Sequence, residues 1–327
     1  MRRRAFTLLL GSAVLALPFG ASGQKAPVRI GFLAAGAATS ITAASVTSEI
    51  NEGLRANGLI EGRDYILEQR YAAGHYERFS DMARELAQSG VSVILVNTIS
   101  AVRAAQQLTP PVPVVMLSIN DPVGTGLIAG LARPGGHTTG MATMNEDVAP
   151  KMLEFQHEIV PQAKRVAVIF NPVNPTNPPM VDNIRTYAGG MGITVLPVVV
   201  RMPEGLDTAF SVIAGENADA IQLVADSSNL DLGDRIAAFA IEHRLPCFAT
   251  WPAIAELGGL LAYGPSRQKL FVRAANYVKR ILDGANPGDL PVEQPTEIEL
   301  WINLKTAKSI GLTIPPSVLA RADKVIE

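Results

Sequence analysis

A chain of 327 residues is too long for one hydrophobic core, so two lobes are expected. With 48% apolar and only 18% charged side chains, it carries more core-forming surface than a disordered segment does. A formal charge of −2 with no basic stripe argues against a nucleic-acid partner, and a lone cysteine, Cys247, excludes an internal disulfide or a multi-cysteine metal site.

The first segment reads as an export signal. Met1-Arg-Arg-Arg-Ala-Phe-Thr is basic, residues 8–17 are apolar, and Ala21-Ser-Gly-Gln offers small residues for cleavage, which predicts a signal peptide over 1–23. Arg3-Arg4-Ala5-Phe6 approaches a twin-arginine signal. An uncleaved anchor is the competing reading, but the apolar stretch is short for a span and no other segment is long enough. No cysteine near the cleavage point is available to carry a lipid. The expectation is a soluble exported protein.

Strands and helices then alternate. Residues 28–33 read as a strand, 34–40 as a small-residue loop, and Val46, Ile50 and Leu54 as one face of a helix closed by Asn57-Gly58. A strand over 65–71 precedes a helix with the stripe Phe79, Met82, Ala83 and Leu86. Two short apolar runs, 91–96 and 112–117, have the Val/Ile-rich character of strands buried on both faces of a parallel sheet. A fifth strand or crossover falls at 138–143. The pattern then restarts: strands at 165–170, 193–200, 218–224, 246–249 and 260–263, with helices at 178–188, 206–214 and around Leu232 to Ile241. Gly189-Gly190-Met191-Gly192 is expected to break the first of these helices. The halves share order and size, not residues. Together they predict an α/β protein of two doubly wound parallel sheets. A tail follows, with a long helix at 266–282, a turn-rich connector, a strand at 297–303 and short helices separated by Pro315-Pro316. Coming after two complete units, it is expected to brace both.

Catalytic and cofactor motifs are missing. There is no phosphate-binding Gly-x-x-x-x-Gly-Lys loop, Gly124-Thr-Gly126 lacks the third glycine of a dinucleotide fingerprint, and the mature chain holds no Gly-x-Ser-x-Gly elbow. His75, His137, His157 and His243 share no metal-ligand spacing, and His137 in Pro134-Gly-Gly-His reads as a turn residue. The sequence therefore disfavours catalysis without excluding it, since distant residues can meet in space, and points to no cofactor and no metal.

Polar residues do cluster where strands end. The first unit offers Ser40, Thr98, Ser100, Ser118, Asn120 and Asp121. The second offers Asn171, Asn174, Asp226 and Ser227, with Trp251 and Tyr263 as aromatic candidates. In open parallel sheets, ligands bind beyond the carboxyl ends of the strands. Any one of the polar residues alone reads more readily as a helix cap, whereas the cluster as a whole reads as a small-molecule site. Asp226 fits either a cap for a helix at Leu230 or a partner for an ammonium group. Asp121 before Pro122 reads as an N-cap. Trp251 and Tyr263 are open to core packing, Tyr263 more so because Gly264-Pro265 follows it.

Arg29-Ile-Gly-Phe-Leu, Glu61-Gly-Arg-Asp, Asp121-Pro-Val-Gly-Thr-Gly-Leu-Ile-Ala-Gly-Leu-Ala-Arg-Pro-Gly-Gly, Gly259-Leu-Leu-Ala-Tyr-Gly, Leu290-Pro-Val-Glu-Gln-Pro-Thr and Ile302-Asn-Leu-Lys-Thr-Ala-Lys are similar to one family. It is the ABC-transporter substrate-binding family that includes tryptophan- and tyrosine-binding proteins. The likeness extends over nearly the whole mature chain. It implies a type I periplasmic-binding-protein fold, with residues 28–143 plus about 265–288 in lobe 1, residues 144–264 plus about 289–327 in lobe 2, and three crossings between them. It also implies a monomeric periplasmic receptor that holds a small organic solute, an amino acid or an aromatic or other carboxylate, and delivers it to ABC permease subunits in the inner membrane. Thr98, Ser118, Asn171 and Asp226 stand on the loops where the family makes its ligand contacts. Asp226-Ser-Ser-Asn resembles the Asp-Asn stretch of amino-acid-binding members, where many relatives carry Pro-Asp-Pro and then aromatics. Phe32 stands where a tyrosine is common. The alternatives are an exported sensory subunit that signals to a membrane kinase and a periplasmic enzyme on the same scaffold.

Overall fold

The computed structural model describes residues 26–201, 204–226 and 230–327. The signal peptide expected at 1–23 and the candidate Ser227 lie outside the described residues.

Five strands form the first sheet: β1 (Val28–Ala34), β2 (Tyr65–Tyr71), β3 (Val93–Val96), β4 (Val114–Asn120) and β5 (Thr138–Thr143). Their order is β2-β1-β3-β4-β5, every pair parallel. The apolar run of β3 is buried at every position, because helices cover both faces of the sheet. Those helices are α1 (Ile41–Ala56), α2 (Phe79–Gln88) and α3 (Ile99–Gln106). The stripe Phe79, Met82, Ala83 and Leu86 is the buried face of α2.

One irregularity matters for the site. Met116 pairs with Gly140, but the next partners are Ile119 and Ala142, so β4 carries one extra residue around Leu117 and Ser118. Such a bulge re-aims a side chain. It requires the glycine, since a Cβ at Gly140 would stand 2.2 Å from the Met116 carbonyl oxygen. The strand also runs on to Asn120, so Ser118 and Asn120 belong to β4, whereas the sequence pattern ends the run before them.

The second sheet holds β6 (Arg165–Phe170), β7 (Thr194–Val199), β8 (Ala220–Leu223), β9 (Cys247–Ala249), β10 (Leu261–Gly264), β11 (Glu299–Asn303) and β12 (Lys324–Ile326). Its order is β12-β11-β10-β9-β8-β6-β7. Read from β7 to β10, it repeats the order of the first sheet. The tail strand β11 joins antiparallel to β10 and carries β12 parallel beyond it, so this sheet is mixed where a parallel one is expected.

The helices of this half are α4 (Asn145–Ile159), α5 (Asn177–Gly190), α6 (Leu206–Gly215), α7 (Gly233–Glu242) and α8 (Ala253–Glu256). The sequence pattern omits α4, which contains Pro150 yet buries Met152, Leu153 and Phe155. Helix α5 continues through Gly189 and Gly190. The break falls at Gly192, where φ is +68°.

The long tail helix α9 (Arg267–Leu282), capped by Ser266, lies against α1, β4 and β5 of the first half. Residues 290–293 then run along β5: Val292 N–H donates to Leu131, and Ala142 N–H donates to Glu293. Only beyond them does the chain reach β11, α10 (Leu304–Ser309) and α11 (Pro316–Leu319). The tail thus touches both halves. One apolar cluster spans them, holding Phe32, Ile50 and Phe271 together with Leu230, Ile236 and Trp251.

Candidate functional site

The carboxyl ends of the two sheets face each other across a cleft. From the first sheet comes the turn after β3. Thr98 is extended (φ −140°, ψ 152°), and its hydroxyl accepts from Ala101 N–H at 3.2 Å, so it caps α3. It also lines the cleft, so the cap and site readings hold together. Ser100 and Ser118 stand beside it. Asn120 faces the same space, and its Oδ1 accepts from Asn145 N–H at 3.1 Å and from the Thr143 hydroxyl at 3.2 Å, which holds the crossing into α4. Asp121 (φ +41°) accepts from Gly124 N–H at 2.8 Å; it caps a tight turn, where the sequence suggested a helix.

Opposite them stands Asp226, just past β8 and 4% exposed. Asn174 Nδ2 donates to it at 2.9 Å, and Asn171 Nδ2 approaches at 3.5 Å. Asn171 does not line the cleft. Its backbone N–H donates to Asn177 Oδ1 at 3.1 Å, and its own Oδ1 accepts from Val173 N–H at 3.0 Å, so it shapes the loop that presents Asn174 and Asp226.

These residues enclose a cavity of about 30 Å³, closed at the sides by Asn97, Asn145, Tyr76 and Trp251. Asn97, Ser118 and Trp251 are shared with a second cavity of about 40 Å³. Its walls are Phe32, Val46, Leu230 and Phe271, with Ser40, Thr42, Tyr71, Asp231 and Arg267 at its edge. Ser40 caps α1 by accepting from Ala43 N–H at 3.1 Å. Each volume holds a few water-sized groups, which is what two lobes in contact leave between them.

That contact is direct. Asp231, from the second half, accepts from Ala37 N–H at 3.2 Å and from the Thr42 hydroxyl in the first half. Burial between the lobes pushes its carboxyl above the ordinary aspartate range, against the pull of Ser40, the Ala37 amide and Arg267. Arg267 opens α9 and forks onto Glu49, with Nε to Oε2 at 2.7 Å and Nη2 to Oε1 at 2.6 Å. Among the described residues its Nη1 is buried without a hydrogen-bond partner, as is Nε1 of Trp251.

Ser40, Thr98, Ser100, Ser118, Asn120, Asp226 and Trp251 therefore converge. Tyr263 does not. It lies on β10, with its ring tilted against Phe155 at 5.1 Å, packed into the second core. Sequence reading missed Tyr76, Asn145, Asp231 and Arg267 as cleft residues. None of the four histidines lines either cavity. Burial pushes His137 below its ordinary range and the Cys247 thiol up to about 12, which leaves both as structural groups. Among the described residues no group of three or more His, Cys, Asp or Glu side chains could hold a metal, and no helix is long and apolar enough to cross a membrane. The cleft can hydrogen-bond, neutralise one positive charge and exclude water.

Comparison with known proteins agrees with this geometry. The Tyrosine-binding protein of Clostridioides difficile (strain R20291) is 24% identical over 261 residues, covering 80% of this chain and 75% of that one. The ABC domain from Streptococcus pneumoniae solved in complex with L-Trp is 25% identical with a TM-score of 0.80, covering 92% of this chain and 100% of that one. The leucine-binding protein LivK of Thermotoga maritima, 16% identical with a TM-score of 0.56 over 86% of this chain and 87% of its own, shares the fold. That fold is the type I periplasmic binding protein: two α/β lobes closing on a cleft. Residues 42–326 match the family model described as "ABC transporter substrate binding protein", so the chain belongs to the family of ABC transporter substrate-binding proteins.

Proposed function

We propose that the protein is the exported receptor of an ABC importer and captures an amino acid, or a related aromatic or organic carboxylate, between its lobes. One observation carries this. The start of α3, with the Thr98, Ser100 and Ser118 hydroxyls, faces Asp226 across a single small cavity. A helix start with hydroxyl donors suits a carboxylate. A buried carboxylate held by two asparagines suits an ammonium group. The pair is complementary to a zwitterion. The relatives named for tyrosine and bound to L-Trp support the same ligand class.

In this reading Thr98 and Ser118 orient the ligand carboxylate, Asp226 takes the amine, Asn171 and Asn174 position Asp226, and Trp251 forms a wall. Residues 28–143 with about 265–288 make one lobe, and 144–264 with about 289–327 make the other. The solute binds the closed pairing better than the open one, and that difference in affinity drives closure. The closed monomer then presents both lobes to permease subunits in the inner membrane. The periplasmic address rests on the signal pattern of residues 1–23.

Thermal-shift screening of the purified protein against the amino acids and a set of aromatic acids tests this. A ligand at one hundred times its Kd stabilises by about 2.7 kcal/mol, a rise of roughly 4 °C in a chain of this size. A flat response across the whole panel contradicts the proposal.

A further inference from the structure

We propose that the second cavity receives the body of the ligand, and that Arg267 and Asp231 at its edge select a solute whose apolar ring ends in a hydroxyl group. This rests on the amino-acid reading above and extends it to the far end of the ligand.

The two cavities share Asn97, Ser118 and Trp251, so a ligand anchored between α3 and Asp226 can extend from the first into the second. The walls it meets there are Phe32, Val46, Leu230 and Phe271, all buried and all apolar. Such walls suit a flat apolar body.

At the edge of that space the guanidinium of Arg267 is only partly used. Nε and Nη2 are committed to Glu49, and Nη2 also reaches the Ser45 hydroxyl at 3.0 Å. Nη1 is buried and, among the described residues, unpartnered. A buried donor without an acceptor is costly, and an oxygen on the ligand removes that cost.

Charge decides which oxygen. Arg267 is one positive group among two carboxylates, Glu49 and Asp231, so a ligand carboxylate would enter a region that is already net negative. A hydroxyl carries no charge. It can accept from Arg267 Nη1 and donate to the Asp231 carboxylate, and only a group that both donates and accepts serves the two at once.

Isothermal titration with two ligand pairs tests this: tyrosine against phenylalanine, and 4-hydroxyphenylacetate against phenylacetate. The wild-type chain is expected to bind the hydroxylated member of a pair at least about tenfold more tightly. In Arg267→Met/Glu49→Gln, which removes the ion pair as a unit, the ratio within each pair falls to within about twofold. If that variant melts early, Arg267→Lys keeps a cation against Glu49 but loses the fork's remaining nitrogen Nη1, and the same ratio is read. Equal binding within both wild-type pairs, or a ratio unchanged by the substitutions, overturns the proposal. A hydroxyl preference in the phenylacetate pair with neither amino acid bound keeps the subsite and removes the amino-acid reading. Tyrosine and phenylalanine bound equally do the reverse. Silence from all four ligands on a folded wild-type chain removes both.

Discussion

The two ends of the cleft are made differently. The end at Thr98, Ser118 and Asp226 is assembled from the terminal residues of strands, each fixed by its own local bonds: a cap, a bulge, a pair of asparagines. The end at Phe32, Asp231 and Arg267 is assembled from segments far apart in the chain: Arg267 on α9 meets Glu49 on α1 within the first half, and Asp231 of the second half reaches Ala37 only where the halves touch. The polar groups of the first end are therefore each held by bonds within their own half, whereas at the second end the Asp231 contact exists only with the halves together. In this account the ligand's charged groups dock first, and its body completes the closed state.

The largest effect should come from the preorganised end. Asp226→Asn keeps the shape and removes the charge, and an amine-bearing ligand should lose about a hundredfold in affinity by calorimetry, with little change in melting temperature. An unchanged affinity would place the amine elsewhere.

A smaller effect should come from the end that closure builds. A Cβ at Gly36 would stand 2.0 Å from Asp231 Oδ2. Gly36→Ala should thus hinder the closed form while the open form stays stable, which lowers affinity about tenfold because the competent state is less populated. The ligand-free melting temperature should move by no more than about 1 °C. Full affinity in this variant would show that the lobes do not meet at Asp231.

The smallest effect concerns pH. Burial between the lobes holds the Asp231 carboxyl above its ordinary range, and opening the cleft returns it to water. The closed form therefore binds the proton more readily than the open one. Its advantage is complete below the ordinary carboxylate range and is lost as pH rises through the raised value. Affinity should improve as pH falls from neutrality toward the ordinary carboxylate range, and Asp231→Asn should flatten the slope. A wild-type profile with no slope would contradict the assignment.

The same contrast explains what could be read in the sequence. The double α/β pattern was legible because β3 and its counterparts are continuous apolar runs, and because the helices α1 and α2 keep one buried stripe. Thr98, Ser118 and Asp226 were legible as strand-end polar groups. Arg267 was not. It follows a capping serine on an amphipathic helix and reads as a surface cation, until Glu49, 218 residues away, is brought against it. Asn145 was hidden because α4, with Pro150 inside, gave no helix signal. Where Tyr263 and Asn171 point was not legible for one reason: periodicity places a residue at a strand end, but only the assembled sheet shows which side it faces. For Tyr263 that side holds Phe155. The strand β11 was legible but its antiparallel direction was not, because pairing direction depends on which edge the returning tail reaches.

The most direct test is a crystal structure of the complex with the tightest solute from the thermal-shift panel. The account predicts an amine within hydrogen-bond reach of Asp226, a carboxylate at the start of α3, and the ligand body between Phe32, Trp251 and Phe271. A ligand bound outside the cleft, or one reversed so that its charged groups meet Arg267 and its body lies against Asp226, would contradict it.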